Sequence, residues 1–245
     1  MRNLEEVVLE VAARRKLPPA DVWRAVEEAA GRAFPTADVE VVKGMLVRYL
    51  TAGRGASLEE AREAAPSACP GDVVPVPLRL EGGARRRFRW LLNRVLSELE
   101  TERLYRKWKR EKGRAVMGAV MGPMPGGRGV YVDLGDAVGE LEKQRMVPGE
   151  SYTPGRVMVF LVAAVKLRLE TGGRLEVVLS RNSRRLAEAL IEQSCPGVKV
   201  EVVRRVAGRR CVVVSGSPLS RKVMADVSRL LGEVVVCRVE EERDG

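Results

Sequence analysis

Leu4, Val7, Val8, Val11 and Ala12 recur at helical spacing, so the chain opens with an amphipathic helix over Asn3 to Arg15. Leu17-Pro18-Pro19 ends that helix and starts a second, in which Val22, Trp23, Val26 and Ala30 share one face. The apolar segments then shorten. Strands are predicted near Val39 to Val42 and Met45 to Leu50, a short helical piece at Leu58 to Ala64, and a strand near Val73 to Leu80. Gly82-Gly83 breaks the pattern. Leu91, Leu92, Val95, Leu96 and Leu99 then mark one long helix over Arg85 to Lys112, on which Tyr105 and Trp108 are placed to pack on whatever follows.

Beyond Gly113 the spacing becomes that of strands. Ala115 to Val120 is the first, and Val130-Tyr131-Val132 the second, stopping at Asp133-Leu134-Gly135-Asp136, residues that tolerate a tight turn. Ala137 to Leu141 is the third. Pro148-Gly149 and Pro154-Gly155 bracket a polar crossing, after which Val157 to Leu169 runs apolar until Glu170-Thr171-Gly172-Gly173 turns it into Leu175 to Leu179. Five short strands with irregular crossings suit an OB-type barrel, a scaffold that binds single-stranded nucleic acid on one face. The last segment reads as helix Ser183 to Gln193, strands Val198 to Val203 and Cys211 to Val214, helix Leu219 to Leu231 and strand Val234 to Val239. The fold class expected is α+β and multidomain: residues 1–112 as a head with its connecting helix, 113–181 as the barrel, and 182–245 as a small α/β module.

Composition narrows the chemistry. No apolar run approaches the ~20 residues needed to span a bilayer, and the first residues are too acidic and amphipathic for a signal peptide, so a cytoplasmic protein is expected. The 4 cysteines, Cys69, Cys195, Cys211 and Cys237, form no CxxC pair and read as small packing residues. The chain has no histidine, which removes the commonest general base and metal ligand. Asp133 and Asp136 read as turn residues and Glu240 to Glu242 as a solvated tail. No nucleophile elbow, Walker or dinucleotide string occurs, so a binding factor is expected, with no enzymatic activity, no cofactor and no metal.

Charge speaks about partners. Of the net +10, most sits on residues 85 to 112, with 11 basic and 4 acidic side chains, and much of the rest on residues 181 to 245, with 13 and 9. Basic residues gathered in one place attract phosphate through counterion release.

Three strings in the barrel, Val132-Asp133-Leu134-Gly135, Pro148-Gly149-Glu150-Ser151-Tyr152-Thr153-Pro154-Gly155 and Leu179-Ser180-Arg181, together resemble the RNA-binding barrel of the bacterial transcription elongation and termination factor NusA. The opening helices, with Leu17-Pro18 followed by Val22-Trp23 and Ala25-Val26-Glu27, are similar to that family's head. The resemblance covers both ends of roughly residues 1 to 210, with a divergent middle at Ala33 to Gly83. The last module is similar to the family's first K-homology (KH) domain with one helix missing. Its RNA-gripping GxxG loop is replaced by Ser215-Gly216-Ser217-Pro218-Leu219, while the literal GxxG at Gly126 to Gly129 sits between the first two barrel strands as hairpin chemistry.

The resemblance implies a monomer without membrane association whose head docks on RNA polymerase near the RNA exit channel and promotes hairpin-dependent pausing, and whose barrel and KH module face RNA. Val22, Trp23 and Val26 are then the candidate polymerase-binding residues, with core packing as their other reading. On the barrel Arg128, Tyr131 and Lys166 are candidates for phosphate contact and base stacking, while Phe160 reads as core. Arg181, Arg184, Arg185, Arg204, Arg205, Arg209 and Arg210 are the candidate RNA-binding residues of the last module and its approach. Two alternatives stay open: an RNA-processing or ribosome-associated RNA-binding protein, and a mobile-element paralogue that competes at the polymerase.

Overall fold

A computed structural model describes residues 4–35, 38–42, 44–54, 57–78, 80–168 and 174–239. Asn3, Leu169, the turn expected at Glu170-Thr171-Gly172-Gly173 and the tail at Glu240 to Glu242 lie outside them. The described residues are mixed α+β, with six α-helices and three sheets, one of them five-stranded. The chain divides into two compact units, Met1–Thr101 and Glu102–Gly245.

In the first unit, α1 (Leu4–Arg15) ends where Lys16 turns into the left-handed region at φ 54°. Pro19 then supplies the preset φ of a first helical residue, and α2 (Pro19–Ala33) begins there. Strands β1 (Asp38–Val42), β2 (Met45–Thr51) and β3 (Val73–Pro77) form an antiparallel sheet in that order. Between the last two, α3 (Leu58–Ala64) is capped by Ser57, whose side chain accepts from the Glu60 N–H at 3.0 Å. The core gathers Val8 and Ala12 of α1, Val22, Ala25 and Val26 of α2, Leu46 of β2, and Val95 and Leu96 of the 30-residue helix α4 (Gly82–Glu111). The predicted stripe on α4 is thus the face that packs.

The second unit begins within α4. Trp108 is buried among barrel residues, as its sequence context predicts, and its indole N–H donates to Asp136 at 3.2 Å. Tyr105 stays half-buried, with the Lys109 ammonium 5.6 Å from its ring centre. Strands β4 (Ala115–Pro123), β5 (Gly129–Asp133), β6 (Val138–Glu142), β7 (Val157–Arg168) and β8 (Arg174–Ser180) close into a barrel in the order β4-β5-β6-β8-β7. Closure depends on β7. Its first residues pair with β4 and its last with β8, and the register shifts between Val162 and Ala164, where the strand bends from one partner to the other. Gly129 allows the β5–β6 pair to close up, because a Cβ there would meet the Leu141 carbonyl oxygen at 2.1 Å.

Helices α5 (Arg184–Ser194) and α6 (Arg221–Leu231) pack with β9 (Val200–Val206), β10 (Arg210–Ser215) and β11 (Val234–Val239), a three-stranded sheet of order β11-β10-β9. The β9–β10 pair is antiparallel and the β10–β11 pair parallel. Helix α6 starts two residues later than the apolar pattern predicts, because Ser220 caps it by accepting from the Val223 N–H at 3.2 Å. The apolar run of β7 serves two cores: Met158, Phe160 and Val162 fill the barrel, while Val159 and Leu161 join α5, α6 and the last sheet. A strand buried on both faces shows no alternation, which is how this run reads.

Candidate nucleic-acid interface

Two of the arginines expected on the RNA surface are interior. Arg181 follows the last residue of β8 and is 2% exposed. Its Nε donates to Glu150 at 3.1 Å and Nη2 at 2.9 Å, Nη1 donates to the Val159 carbonyl at 3.1 Å, and Nη2 also reaches the carbonyls of Leu230 and Leu231 at 2.9 and 3.0 Å. Buried and committed to the Glu150 carboxylate and three backbone carbonyls, this guanidinium is not presented to phosphate. It satisfies carbonyls at the C-terminal end of α6, where a cation is favoured. The crossing Pro148 to Gly155 supplies its counter-charge, and Glu150 also accepts from the Tyr152 hydroxyl at 2.8 Å. Burial, with the Glu150 carboxylate adjacent, raises the Tyr152 hydroxyl above the ordinary phenol range.

Arg205 on β9 is the second interior arginine. It donates to Glu233 through Nε at 2.9 Å and Nη2 at 2.7 Å, to the Arg181 carbonyl at 3.1 Å and to the Ser183 carbonyl. Glu233 also accepts the Gly208 N–H at 2.9 Å, and both side chains are buried to within 1%. Arg205 stands opposite Cys211, on the side of the sheet that faces the helices. Burial pushes the Cys211 thiol up to about 11, with Arg205 acting in the opposite direction.

Strand alternation turns the neighbours of these residues outward. Arg204 and Val206 on β9, Arg210 and Val212 on β10, and Arg238 on β11 occupy the face of the sheet away from α5 and α6. The register shift in β9 leaves Val203 exposed on this face as well. With Arg209 from the β9–β10 turn they line a groove of about 550 Å³. Its floor is apolar: Val203 is 55% and Val206 44% exposed, high values for β-branched side chains. Its rim is cationic. Arg204, Arg209, Arg210 and Arg238 have no ion-pair partner among the described residues, in contrast to Arg181 and Arg205.

The remaining candidates do not join this groove. Arg184 is exposed on α5, and Arg185 beside it is paired with Glu192 at 2.8 Å and Glu188 at 3.0 Å, bonds that raise its pKa. Arg128 is exposed before β5. Tyr131 and Lys166 lie on the outer barrel surface, where Tyr131 pairs with Glu140 across β5–β6 and Lys166 with Glu176 across β7–β8. Arg174 bonds Glu140 at 2.7 Å and Arg168 bonds Glu176 at 2.9 Å, so charge on this face is mixed. Phe160 is fully buried in the barrel. Gly126 and Gly127 form the β4–β5 turn with positive φ, in keeping with a hairpin.

In the first unit, Val22 and Val26 are 1% and 3% exposed and Trp23 is half-buried against the same core. The apolar face of α2 packs against α1 and α4, so Val22 and Val26 are core residues with no surface to offer, while Trp23 keeps part of its ring exposed. Sequence reasoning missed Arg238 and the valine floor. It also missed Trp90, which falls off the Leu91, Val95, Leu96 stripe of α4 and is 60% exposed. Helical periodicity alone could have flagged that tryptophan.

Among the described residues no helix is long and apolar enough to cross a membrane, and no group of three or more metal-ligating side chains occurs. No family model and no curated protein matches the chain.

Proposed function

We propose that this chain is a NusA-like transcription factor that binds RNA polymerase through its first unit and nascent RNA through its second, and so modulates pausing, termination or antitermination. The observation that carries the RNA half is the groove on the face of the last sheet away from α5 and α6, where four arginines without ion-pair partners among the described residues surround a valine floor. The closed five-stranded barrel supports an OB-type reading, and a helix-strand-strand-helix-strand module directly after it supports a KH-like one. The β10–α6 connection carries no GxxG; Ser215 Oγ instead donates to the Ser217 carbonyl at 2.6 Å. RNA recognition therefore falls to the groove, whose guanidiniums read phosphate and whose valines accept any base face. Binding of this kind is weak in sequence preference and strong in salt dependence. Chemistry on the RNA is not part of the reading, and the chain acts as a binding factor.

The test has two arms. Affinity of the full chain for a single-stranded RNA oligonucleotide is measured from low to moderate salt, for the wild type and for the Arg204→Ala, Arg209→Ala, Arg210→Ala and Arg238→Ala quadruple variant. The variant should lose most of the affinity and flatten the slope by about 0.7 per phosphate contact removed. An unchanged slope would move RNA off this groove. Co-sedimentation with purified bacterial RNA polymerase is the second arm, and RNA binding without polymerase binding would favour the RNA-processing alternative.

A further inference from the structure

Trp90 stands on the outside of α4 in the first unit, 60% exposed, while Leu91, Val95 and Leu96 are buried on the other side of the helix. Trp90 is the largest of the exposed apolar side chains among the described residues, and tryptophan is the residue type most enriched at the energetic centres of protein–protein contacts. At about 100° per residue, Arg86 and Arg94 one turn to either side, and Arg87 and Asn93 three positions away, lie within about 60° of its direction and share its face. The Arg94 guanidinium sits 5.7 Å over the Trp90 ring and is itself held by Glu98 at 3.0 Å, which fixes the ring's flank. Arg86 and Arg87 are exposed and have no ion-pair partner among the described residues, Arg87 donating only to the Arg32 carbonyl at 3.5 Å.

The shape and charge of this face select among occupants. A two-fold contact centred on this face would bring Arg86, Arg87 and Arg94 of one copy against the same cationic set of the other. Single strands of nucleic acid are held in grooves that track the backbone, whereas a ring on the outside of a helix projects from a convex ridge. A projecting tryptophan flanked by arginines has the composition of a protein–protein hot spot, and it needs a pocket to enter. We infer that the Trp90 face of α4 is the docking surface for a protein partner whose contact site is an apolar pocket rimmed by carboxylates. This rests on the reading above that the first unit engages RNA polymerase, and it moves that engagement from α2 to α4.

The experiment titrates the full chain against purified bacterial RNA polymerase. Trp90→Ala should weaken binding by about thirty-fold, the effect of losing one hot-spot side chain. Arg86→Glu with Arg87→Glu should weaken it comparably, and Trp90→Phe should restore part of the loss. All three positions are exposed, and circular dichroism with the unfolding midpoint confirms that each variant is folded. Wild-type binding matched by Trp90→Ala would overturn the inference and leave the functional reading intact. Failure of the wild type to bind polymerase would overturn both. Loss of affinity for a single-stranded RNA oligonucleotide in Trp90→Ala, with polymerase binding retained, would make the face a nucleic-acid surface and also overturn the inference.

Discussion

Arg204 and Arg205 are neighbours on β9 and point to opposite sides of the sheet: Arg205 is locked to Glu233 in the interior, while Arg204 lies on the open groove without an ion-pair partner among the described residues. The same residue type thus does two physically different jobs one position apart, because strand side chains alternate with a period of two.

Their alanine variants should part accordingly. Arg205→Ala leaves the Glu233 carboxylate buried without its counter-ion and should cost about 3–5 kcal/mol of unfolding free energy. Arg204→Ala should change stability by no more than about 0.5 kcal/mol and instead weaken RNA binding at low salt. Denaturant unfolding and RNA titration on both variants check this. Equal stability of the two would refute the interior assignment of Arg205.

A second prediction concerns the Pro148 to Gly155 crossing. Glu150→Gln removes the counter-charge of Arg181, which also holds the Leu230 and Leu231 carbonyls at the end of α6. The expected loss is again about 3–5 kcal/mol, and amide exchange should show the C-terminal turn of α6 losing protection first. Protection lost only at distant sites would mean that Arg181 does not anchor that helix.

Alkaline behaviour follows from Cys211. Its thiol is raised from 9.0 to about 11 in the folded chain, so the unfolded chain releases this proton first as pH rises. The contribution to stability is complete below pH 9 and is lost as pH climbs toward about 11. Cys211→Ala should flatten the fall of stability in that window. In the native protein at pH 8, alkylation should label the exposed Cys69 first and Cys211 only on unfolding, as read by mass spectrometry. Early labelling of Cys211 would contradict its burial.

Gly129 offers a test of barrel closure. An alanine Cβ would meet the Leu141 carbonyl oxygen at 2.1 Å, a backbone atom that cannot rotate away. Gly129→Ala should therefore separate β5 from β6 and lower the unfolding midpoint, whereas Gly126→Ala, with open space around it, should act only through its φ of 69°. A midpoint unchanged in Gly129→Ala would show that the strands tolerate a wider spacing.

Local pattern determined most of the elements. Periodicity in Leu4 to Ala12, in Val22 to Ala30 and in Leu91 to Leu99 foretold three helices and most of their packed faces, because a helix buries the stripe its sequence makes apolar; at the edge of the first stripe Val7 stays 37% exposed. The five barrel strands and the last α/β module were legible for the same reason, and so was the burial of Trp108. The same stripe already excluded Trp90 from the core of α4.

Tertiary structure alone decided which charges are free. Arg181 and Arg205 read as surface cations because nothing near them in sequence announces Glu150 or Glu233, 31 and 28 positions away. Arg238 joins Arg210 at one groove only because β11 runs parallel beside β10, and Val203 is added to it by a register shift in β9. Val22 and Val26 show the converse: their apolar stripe was correctly placed on one face of α2, yet that face is sealed by α1 and α4 and offers no surface to a partner. Hydrophobic period is a local property that the chain carries with it, whereas the neighbour across a sheet or the cap on a helix end is set only when distant segments meet.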